Sequence, residues 1–424
     1  MRDRYDIILV GTGPSSLGAA FRLSESNKNL SILMIDKSSI SSGGLLNDSK
    51  ANYRAGLKIG FPMNGYWSEE QASYYLTETE YYLKPNFVDI GNLDNYIERA
   101  KRYDSELIIA RQSHIGTDKA PKYINSLIEK LRSNGVEIVL GQEMLDIKYD
   151  DKKIILDNGS EIGYNKLILG LGRKGATFLQ RIMLNLGVEF IDNIVDIGIR
   201  VEMKEENYKI VRDFYDPKFW LPEKVRTFCT NSGAAYVTKE KYKDFYSVNG
   251  HALSKDKKSN GLVNFAILKT IKLTEPITSG NEYAKIVGKM AMNVGGGQPI
   301  MQRIGDFRAG KRSKIETFNN DLYNFEPTLK QATAGDVSLA CPSKILRSIW
   351  KGMKILDSII PGVLYPSNII YFPEIKKYMN NPKFIDDHFQ IKKDIYAIGD
   401  SIGCRGITAS FASGLRCVDG ILSE

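Results

Sequence analysis

The sequence predicts an α/β protein with a central parallel sheet, because apolar runs near both ends of the chain lead directly into glycine turns and helices. Residues 7–10 pass into Gly11, and an apolar stripe of helical spacing follows at once. A buried-type strand predicted over residues 394–398 passes into Gly399, and a helical pattern follows over roughly residues 406–422. Buried strands that are each followed by a helix are typical of parallel sheets.

The first glycine turn predicts a Rossmann-like site for a pyrophosphate group. A glycine turn between a buried strand and a helix exposes backbone N–H groups, and the positive end of the helix dipole faces the same point. Ser16 stands where the usual fingerprint has its third glycine, so we expect the strand and the helix to pack slightly further apart. The predicted contacts are Gly11, Gly13, Pro14, Ser15 and Ser16.

A second apolar run, over residues 32–35, ends in Asp36. A carboxylate at the end of the second strand can accept hydrogen bonds from the ribose diol of a dinucleotide. Lys37, directly after it, is assigned to the same predicted site. The alternative is an ordinary α/β turn that binds no ligand.

The middle of this domain predicts a helix and then a β-meander. The helix is expected over residues 118–133, where apolar residues recur on one face. Short strands are expected over residues 136–140, 144–149 and 153–156, and Asp157-Asn158-Gly159 is a strong hairpin signal.

A second glycine motif, Gly170-x-Gly172-x-x-Gly175, follows the strand predicted over residues 166–169. It could begin a second dinucleotide fold that binds NAD(P)H. It could instead belong to a strand that returns to the first cofactor, where small residues let the backbone approach the ligand. The elements after it are too short for a complete nucleotide-binding half, which favours the returning strand and assigns Arg173 to the same site.

Length and composition predict two domains. The chain has 424 residues, of which 42% are hydrophobic and 25% charged, as is ordinary for a globular protein. Residues 196–365 are rich in lysine and short β-like runs, and we interpret them as an inserted α+β substrate domain. Residues 1–195 and 366–424 would then be the two parts of the dinucleotide-binding domain.

Charge, cysteine content and hydropathy argue against several classes of protein. No apolar run reaches the length of a membrane span, and the N-terminus lacks a secretory pattern. The four cysteines are scattered without metal-ligand spacing, so we expect a cytoplasmic protein with no metal centre. The net charge of +8 suits an anionic partner, but no basic stripe with interleaved aromatics predicts specific nucleic-acid binding.

Together these motifs resemble those of FAD flavoproteins of the two-dinucleotide-binding type, and the chain is similar to a group of uncharacterised FAD-dependent dehydrogenases. The resemblance covers most of the length. Two departures are Ser16 and residues 371–381, which lack the Glu-Thr-Arg-Thr-type motif expected from relatives. The motifs on which the resemblance to these flavoproteins rests occupy residues 11–17, 114–118, 170–175, 197–202, 227–229, 249–251, 296–298, 305–307 and 399–400.

The resemblance implies that both ends of the chain bind one FAD. The first glycines and Asp36 would bind the ADP half, and Asp400 would hold the ribityl chain. The stretch that begins at Gly43 would line the flavin. Beyond the first turn and Asp36, the assigned contacts are Lys37, Gly43, Gly44, Asp48, Gly170, Gly172, Arg173, Gly399, Asp400, Arg405, Gly406 and Ile407.

The implied activity is that of an FAD-dependent oxidoreductase. A dehydrogenase or reductase would transfer hydride between the flavin and a small organic substrate held between the two domains, with NAD(P)H as a candidate electron donor. The alternatives are a flavoprotein monooxygenase or oxidase, a flavin-binding module without turnover, and a nucleic-acid-associated protein. Since the flavin supplies the redox chemistry, the protein needs to position the substrate and handle one proton.

Four residues are candidates for that catalytic work. His251 follows Asn249-Gly250, which predicts a turn that projects its ring into a cleft, with a structural histidine as the alternative. His114 precedes a helix and could instead bond loop backbone. Cys229 has the apolar surroundings in which a thiol is usually inert.

Arg200 is the fourth candidate. It lies between two apolar residues on a predicted strand, so a buried guanidinium would need a carboxylate or phosphate partner. Glu202 lies on the same face of that strand, and an ion pair between the two is the alternative to substrate binding.

Overall fold

A computed structural model describes residues 1–26, 28–41, 50–51, 67–84, 88–109, 113–319, 325–376 and 380–424. The chain forms two compact units. The first consists of Met1–Asn86, Gln112–Asp192 and Tyr378–Glu424, and the second of Phe87–Arg111 and Asn193–Lys377. Among the described residues, no helix combines the length and the apolar character needed to cross a bilayer.

The described strands, in chain order, are β1 Arg4–Val10, β2 Ile32–Asp36, β3 Lys50–Ala51, β4 Glu106–Ile108, β5 Ser113–His114, β6 Glu137–Leu140, β7 Met144–Lys148, β8 Lys153–Leu156, β9 Glu161–Leu169, β10 Phe190–Ile191, β11 Ile194–Lys204, β12 Lys218–Leu221, β13 Val225–Asn231, β14 Ala235–Lys241, β15 Tyr246–Ala252, β16 Leu262–Lys272, β17 Ile300–Arg303, β18 Thr333–Ala334, β19 Ile369–Lys376, β20 Asn381–Pro382, β21 Gln390–Lys392 and β22 Ile395–Ala397. The described α-helices are α1 Pro14–Ser24, α2 Glu69–Leu83, α3 Asp94–Lys101, α4 Ala120–Ser133, α5 Ala176–Asn185, α6 Gly280–Val294, α7 Ile304–Arg308, α8 Ile315–Asn319, α9 Ser343–Ile359 and α10 Ile407–Ser423.

The sheet of the first unit has the order β21-β22-β9-β1-β2-β6, and β7 and β8 extend it as a meander from β9. The pairs β22/β9, β9/β1, β1/β2 and β2/β6 are parallel. The inner strands are apolar over nearly their whole length because their side chains are buried on both faces. The predicted parallel sheet is therefore confirmed. The predicted meander is confirmed for β7 and β8, but its expected first strand, over residues 136–140, is wrong in its partner, because β6 pairs in parallel with β2.

The short strand β22 is fixed near its start by two ion pairs, both made by Asp394. Asp394 accepts hydrogen bonds from the Nζ atoms of Lys152 and Lys166, at 2.6 and 3.1 Å. Burial raises the pKa of Asp394, but these hydrogen bonds and charges outweigh burial, and the net pKa is lowered. These two ion pairs position the strand that leads to Gly399.

The second unit has an eight-stranded sheet in the order β18-β17-β19-β11-β16-β13-β12-β4. Its pairs are antiparallel except for β17/β18, and the hairpin β14/β15 forms a separate pair. Helices such as α6 and α9 belong to the same unit, so the inserted part is α+β as predicted. Residues 196–365 fall within this unit.

Residues 87–111 also belong to the second unit, although the sequence interpretation placed them in the first domain. They supply α3 and β4, and β4 pairs with β12 through Glu106 to Ile108. A strand of three residues gives almost no periodic signal, so its partner could not be inferred from pattern alone.

Candidate functional site

Three neighbouring parallel strands of the first unit end in glycine. Gly11 follows β1, Gly170 follows β9, and Gly399 comes two residues after the end of β22. The N–H of Gly170 donates to the carbonyl of Val10 at 2.9 Å, so the first two glycines are neighbours. The entry motif, the second glycine motif and the C-terminal motif thus lie at one edge of one sheet.

The backbone at this edge is packed so closely that side chains do not fit. A Cβ on Gly11 would lie 2.3 Å from the carbonyl oxygen of Gly170, and Gly11 has a φ of +99°. A Cβ on Gly170 would lie 2.1 Å from the Ser16 Oγ, and one on Gly399 would lie 2.6 Å from the Ser15 Oγ. These contacts explain why the glycines occur where the strands end.

Ser16, in place of the usual third glycine, is accommodated by Gly170. The side chain of Ser16 is fully buried, and its Oγ has no hydrogen-bond partner among the described residues. This hydroxyl therefore faces the protein interior. The exposed part of the turn is formed by Gly11, Gly13 and Pro14, which are all partly accessible.

The N-terminus of α1 has no side-chain cap and no acidic residue to offset its partial positive charge. Gly13 is its N-cap, Pro14 occupies the first turn, and no side chain caps the helix. The first turn has no acidic residue, so the partial positive charge of the helix end is not neutralised there. No described atom lies within 4 Å of the position that a Gly13 Cβ would take. An anionic group would fit this space.

The helix α10 begins in the same manner after the turn that carries Asp400. Gly406 is the N-cap with a φ of +88°, no side chain caps the helix, and its first turn lacks acidic residues. The two helices are in backbone contact, because a Cβ on Gly414 would lie 2.0 Å from the carbonyl oxygen of Ser15. The first unit therefore brings segments from both chain ends together.

Asp36, which was predicted to bind a ribose diol, accepts hydrogen bonds from the first glycine turn and from Ser38. Its Oδ2 accepts from the N–H and the hydroxyl of Thr12, at 2.8 and 2.7 Å, and its Oδ1 accepts from the Ser38 N–H at 2.9 Å. A carboxylate has about four acceptor positions, so roughly one remains for a ribose hydroxyl. Thr12 was missed by the sequence interpretation, although a hydroxyl between two glycines was a usable signal.

An ion pair joins the second glycine motif to the C-terminal motif. The Nε of Arg173 lies 3.0 Å from the Oδ2 of Asp400, and both side chains are about one-fifth exposed. Both residues were predicted to contact the cofactor, but their pairing was not foreseen. Arg405 and Gly406 are partly exposed in the following turn, whereas Ile407 is buried.

Four further residues were predicted to contact the cofactor, and the structure describes one of them, Lys37. Lys37 is on the surface, with its side chain 58% exposed, and lies 3.3 Å from Glu143. Gly43, Gly44 and Asp48 lie outside the described residues.

The predicted catalytic residue Arg200 lies in the core of the second unit. Its guanidinium forms a bidentate pair with Glu374, at 2.6 and 2.8 Å, and its Nη1 donates to Asn264 and to the Cys229 carbonyl. Arg200 and Glu374 are both fully buried. Four of the five guanidinium hydrogens are thus directed at protein acceptors, and no atom of Arg200 is exposed.

The alternative prediction, an ion pair of Arg200 with Glu202, is wrong, because the carboxylate that pairs with Arg200 is that of Glu374. Glu202 instead accepts hydrogen bonds from the hydroxyls of Tyr371 and Thr328 and from the Thr328 N–H. Burial raises the pKa of Glu202, and these hydrogen bonds oppose the rise. Glu374 lies opposite Gly198 on the neighbouring strand β19, where a bulge interrupts the pairing with β11 before Arg200, and it supplies the partner of Arg200 from that other strand.

His251 lies in a strand and not after a turn, which corrects the sequence interpretation. Residues 246–252 form β15, in which His251 pairs with Tyr236 and stacks on its ring at 5.9 Å between centroids. Gly250 fits this strand because a Cβ there would lie 2.2 Å from the Arg200 Nη1. Close packing, and not a turn, accounts for the glycine.

Cys229 and His114 complete the set of predicted catalytic residues. Cys229 is buried, has a φ of +54°, and has its Sγ 3.9 Å from the carbonyl of Gly250. The backbone of His114 pairs with Lys50 in the two-stranded sheet β3/β5, while its side chain lies outside the described part of the structure. The structure thus groups Arg200, Cys229 and Gly250, the neighbour of His251, in one buried cluster.

No protein-family model and no curated protein matches the sequence. Solved structures resemble this chain at 10% identity, with TM-scores below 0.5. L-proline dehydrogenase from P. horikoshii has a TM-score of 0.46, with 100% of this chain and 94% of that chain covered. Glycine oxidase from Geobacillus kaustophilus has 0.42, with 100% and 96% covered, and a variant of halogenase PltM in complex with FAD has 0.41, with 99% and 69%. Likeness at this distance carries no conclusion about the cofactor or reaction of this chain.

Proposed function

We propose that the chain is an FAD-dependent oxidoreductase whose FAD is bound in the first unit, at the edge where β1, β9 and β22 end. The observation that carries the proposal is the meeting of Gly11, Gly170 and Gly399 with two uncapped helix N-termini at that edge. A long dinucleotide needs contacts from several segments, and here both ends of the chain supply them.

The residues present fit this cofactor. The open space before Gly13 and the uncapped end of α1 suit a pyrophosphate. The remaining acceptor position of Asp36 suits one ribose hydroxyl. Asp400, held by Arg173 and partly exposed, would bind a hydroxyl of the ribityl chain.

The second glycine motif supports a single cofactor. Because β9 lies beside β1, Gly170 packs on Ser16 within the first turn. The segment after it forms α5 and then a strand of two residues that pairs with β20. These elements supply no parallel strand for a second dinucleotide fold among the described residues.

Bound FAD would supply hydride or electron transfer, and the chain would supply binding and orientation. The N-terminal turn of α10 has no acidic residue, so the partial positive charge of that helix end is available to stabilise an anionic group. Within this class we favour a dehydrogenase or reductase of a small organic substrate, on the sequence resemblance alone.

The test is the visible absorbance spectrum of the purified protein, followed by heat release and chromatographic identification of the nucleotide. We expect a yellow protein that releases FAD, or a colourless one that takes up FAD on reconstitution. Asp400→Asn should weaken FAD binding, because it removes the charge that pairs with Arg173. Glu189→Gln is the matched control, because it makes the same change in an exposed carboxylate of the first unit that pairs with Lys383 and has no predicted cofactor contact. A folded protein that binds no FAD would overturn the proposal.

A further inference from the structure

The second unit contains a concave surface that the proposed function does not use. It has a volume of about 510 Å³. We call it the basic cleft, and it is lined by Glu223, Lys224, Lys269, Lys344, Arg347, Ser348 and Lys351. Five cationic side chains face one carboxylate, a net formal charge of +4. The whole chain has a net charge of +8, so half of that value is concentrated here.

Three different elements build the basic cleft. The turn Pro222–Lys224 joins β12 to β13, β16 supplies Lys269, and α9 supplies the remaining residues. On α9, Lys344, Arg347 and Lys351 recur at helical spacing, opposite the face whose apolar residues are buried in the core. The fold of the second unit therefore holds these cations together.

The single carboxylate organises the cleft and does not neutralise it. Glu223 accepts from the Lys351 Nζ and the Ser348 hydroxyl, each at 2.8 Å, and its carbonyl accepts from the Lys269 Nζ. Lys224, Lys344 and Arg347 form no ion pair with any residue in the part of the chain that the structure describes. Three cations are thus left for an external partner.

The crowding of these cations has a measurable physical consequence. Burial lowers the pKa of Lys269, and the charges of Lys344 and Lys224 lower it further, against the opposing effect of Glu223. Glu223 and Lys224 both have positive φ, at 60° and 56°. Such backbone strain in residues other than glycine is concentrated at functional sites.

We propose that the basic cleft binds a phosphorylated small molecule. A compact polyanion can contact cations from all three elements at once and relieve their mutual repulsion. Arg347 offers the planar pair of donors that suits phosphate oxygens. The seven lining residues include no aromatic side chain on which a nucleic-acid base could stack, which favours a small anion over a single strand.

The test uses sodium tripolyphosphate as the probe and isothermal titration calorimetry of the full chain at low salt, with and without FAD. Arg347→Glu and Lys344→Glu should each weaken binding about tenfold or more, since each replaces an attraction by a repulsion. Lys354→Glu is the matched control, because Lys354 is exposed on the same helix and does not line the cleft. It should change the affinity by less than about twofold. Circular dichroism checks that every variant is folded.

The proposal is contradicted if the wild-type protein does not bind tripolyphosphate, or if Lys354→Glu weakens binding as much as Arg347→Glu. It is also contradicted if anionic vesicles or a single-stranded oligonucleotide bind at the cleft and tripolyphosphate does not displace them. Because every variant lies in the second unit, a failure here leaves the FAD proposal unaffected, and the reverse also holds.

Discussion

The contact between Gly170 and Ser16 gives a prediction that can be worked out in detail. In Gly170→Ala the new methyl group would lie 2.1 Å from the Ser16 Oγ, whereas ordinary contact begins at 3.4 Å. The Ser16 Oγ would have to move by about 1.3 Å, the difference between these distances, through rotation of the side chain in its buried site or through separation of the strand end from α1. Overpacking of this kind costs about 1–3 kcal/mol. We expect the upper end, about 3 kcal/mol, because Ser16 is fully buried in the first turn of a helix.

The second substitution, Ser16→Gly, should rescue the first. It removes the atom with which the methyl group collides, along with a buried hydroxyl that lacks a described partner. Removal of that hydroxyl gains about 1 kcal/mol, and glycine in a helix costs about the same. Ser16→Gly alone should therefore leave the free energy of unfolding nearly unchanged. The double variant Gly170→Ala/Ser16→Gly should recover about 2 kcal/mol of the free energy that Gly170→Ala loses. Gly11→Ala is the control, because its methyl group would meet backbone, which Ser16→Gly does not clear.

The assay is urea unfolding of the wild type and five variants, namely the three single variants and the two double variants that combine Ser16→Gly with Gly170→Ala or with Gly11→Ala. FAD affinity is measured by quenching of flavin fluorescence. We expect both quantities to fall in Gly170→Ala and to recover in the double variant. If Gly170→Ala is as stable as the wild type, or if Ser16→Gly restores Gly11→Ala equally well, the packing described here is wrong.

Three further predictions follow from buried groups. Glu374→Gln should lower the free energy of unfolding by about 3–5 kcal/mol, because it leaves the Arg200 charge buried and unpaired, and urea unfolding that matches wild type would refute this. Burial raises the pKa of Cys404 to about 12, so its neutral thiol should resist iodoacetamide at neutral pH until the protein unfolds, and mass spectrometry would reveal early labelling if the reasoning fails. The lowered pKa of Asp394 contributes stability above the ordinary carboxyl pKa of 3.8, and this contribution is lost as the pH falls through the lower folded value. Asp394→Asn should therefore destabilise the protein at neutral pH, and the difference from wild type should vanish in acid, as pH-dependent thermal unfolding can check.

Local signals predicted the centre of the first unit. The apolar runs before Gly11 and Gly399 specify buried strands, and the glycines specify the turns where those strands meet α1 and α10. Asp36 could be placed because it directly follows such a run. Each of these inferences needs only neighbours in sequence, which is why they succeeded.

The rest depends on partners that are distant in the sequence. Arg200 and Glu374 are 174 residues apart, and Glu202, two residues from Arg200 on β11, takes its hydrogen bonds from Tyr371 and Thr328 instead. The pairing of Arg173 with Asp400 likewise joins two motifs that only the folded sheet brings together. Gly250 gives the local signal of a turn, but close packing on Arg200 places it in a strand.

A crystal structure of the protein grown with FAD would test the proposed cofactor site without intermediate steps. We expect one FAD molecule in the first unit, with its pyrophosphate at the Gly13 end of α1 and its ribityl chain hydrogen-bonded to Asp400. FAD density in another place, or an Asp400 side chain that faces bulk water while FAD is bound, would contradict it.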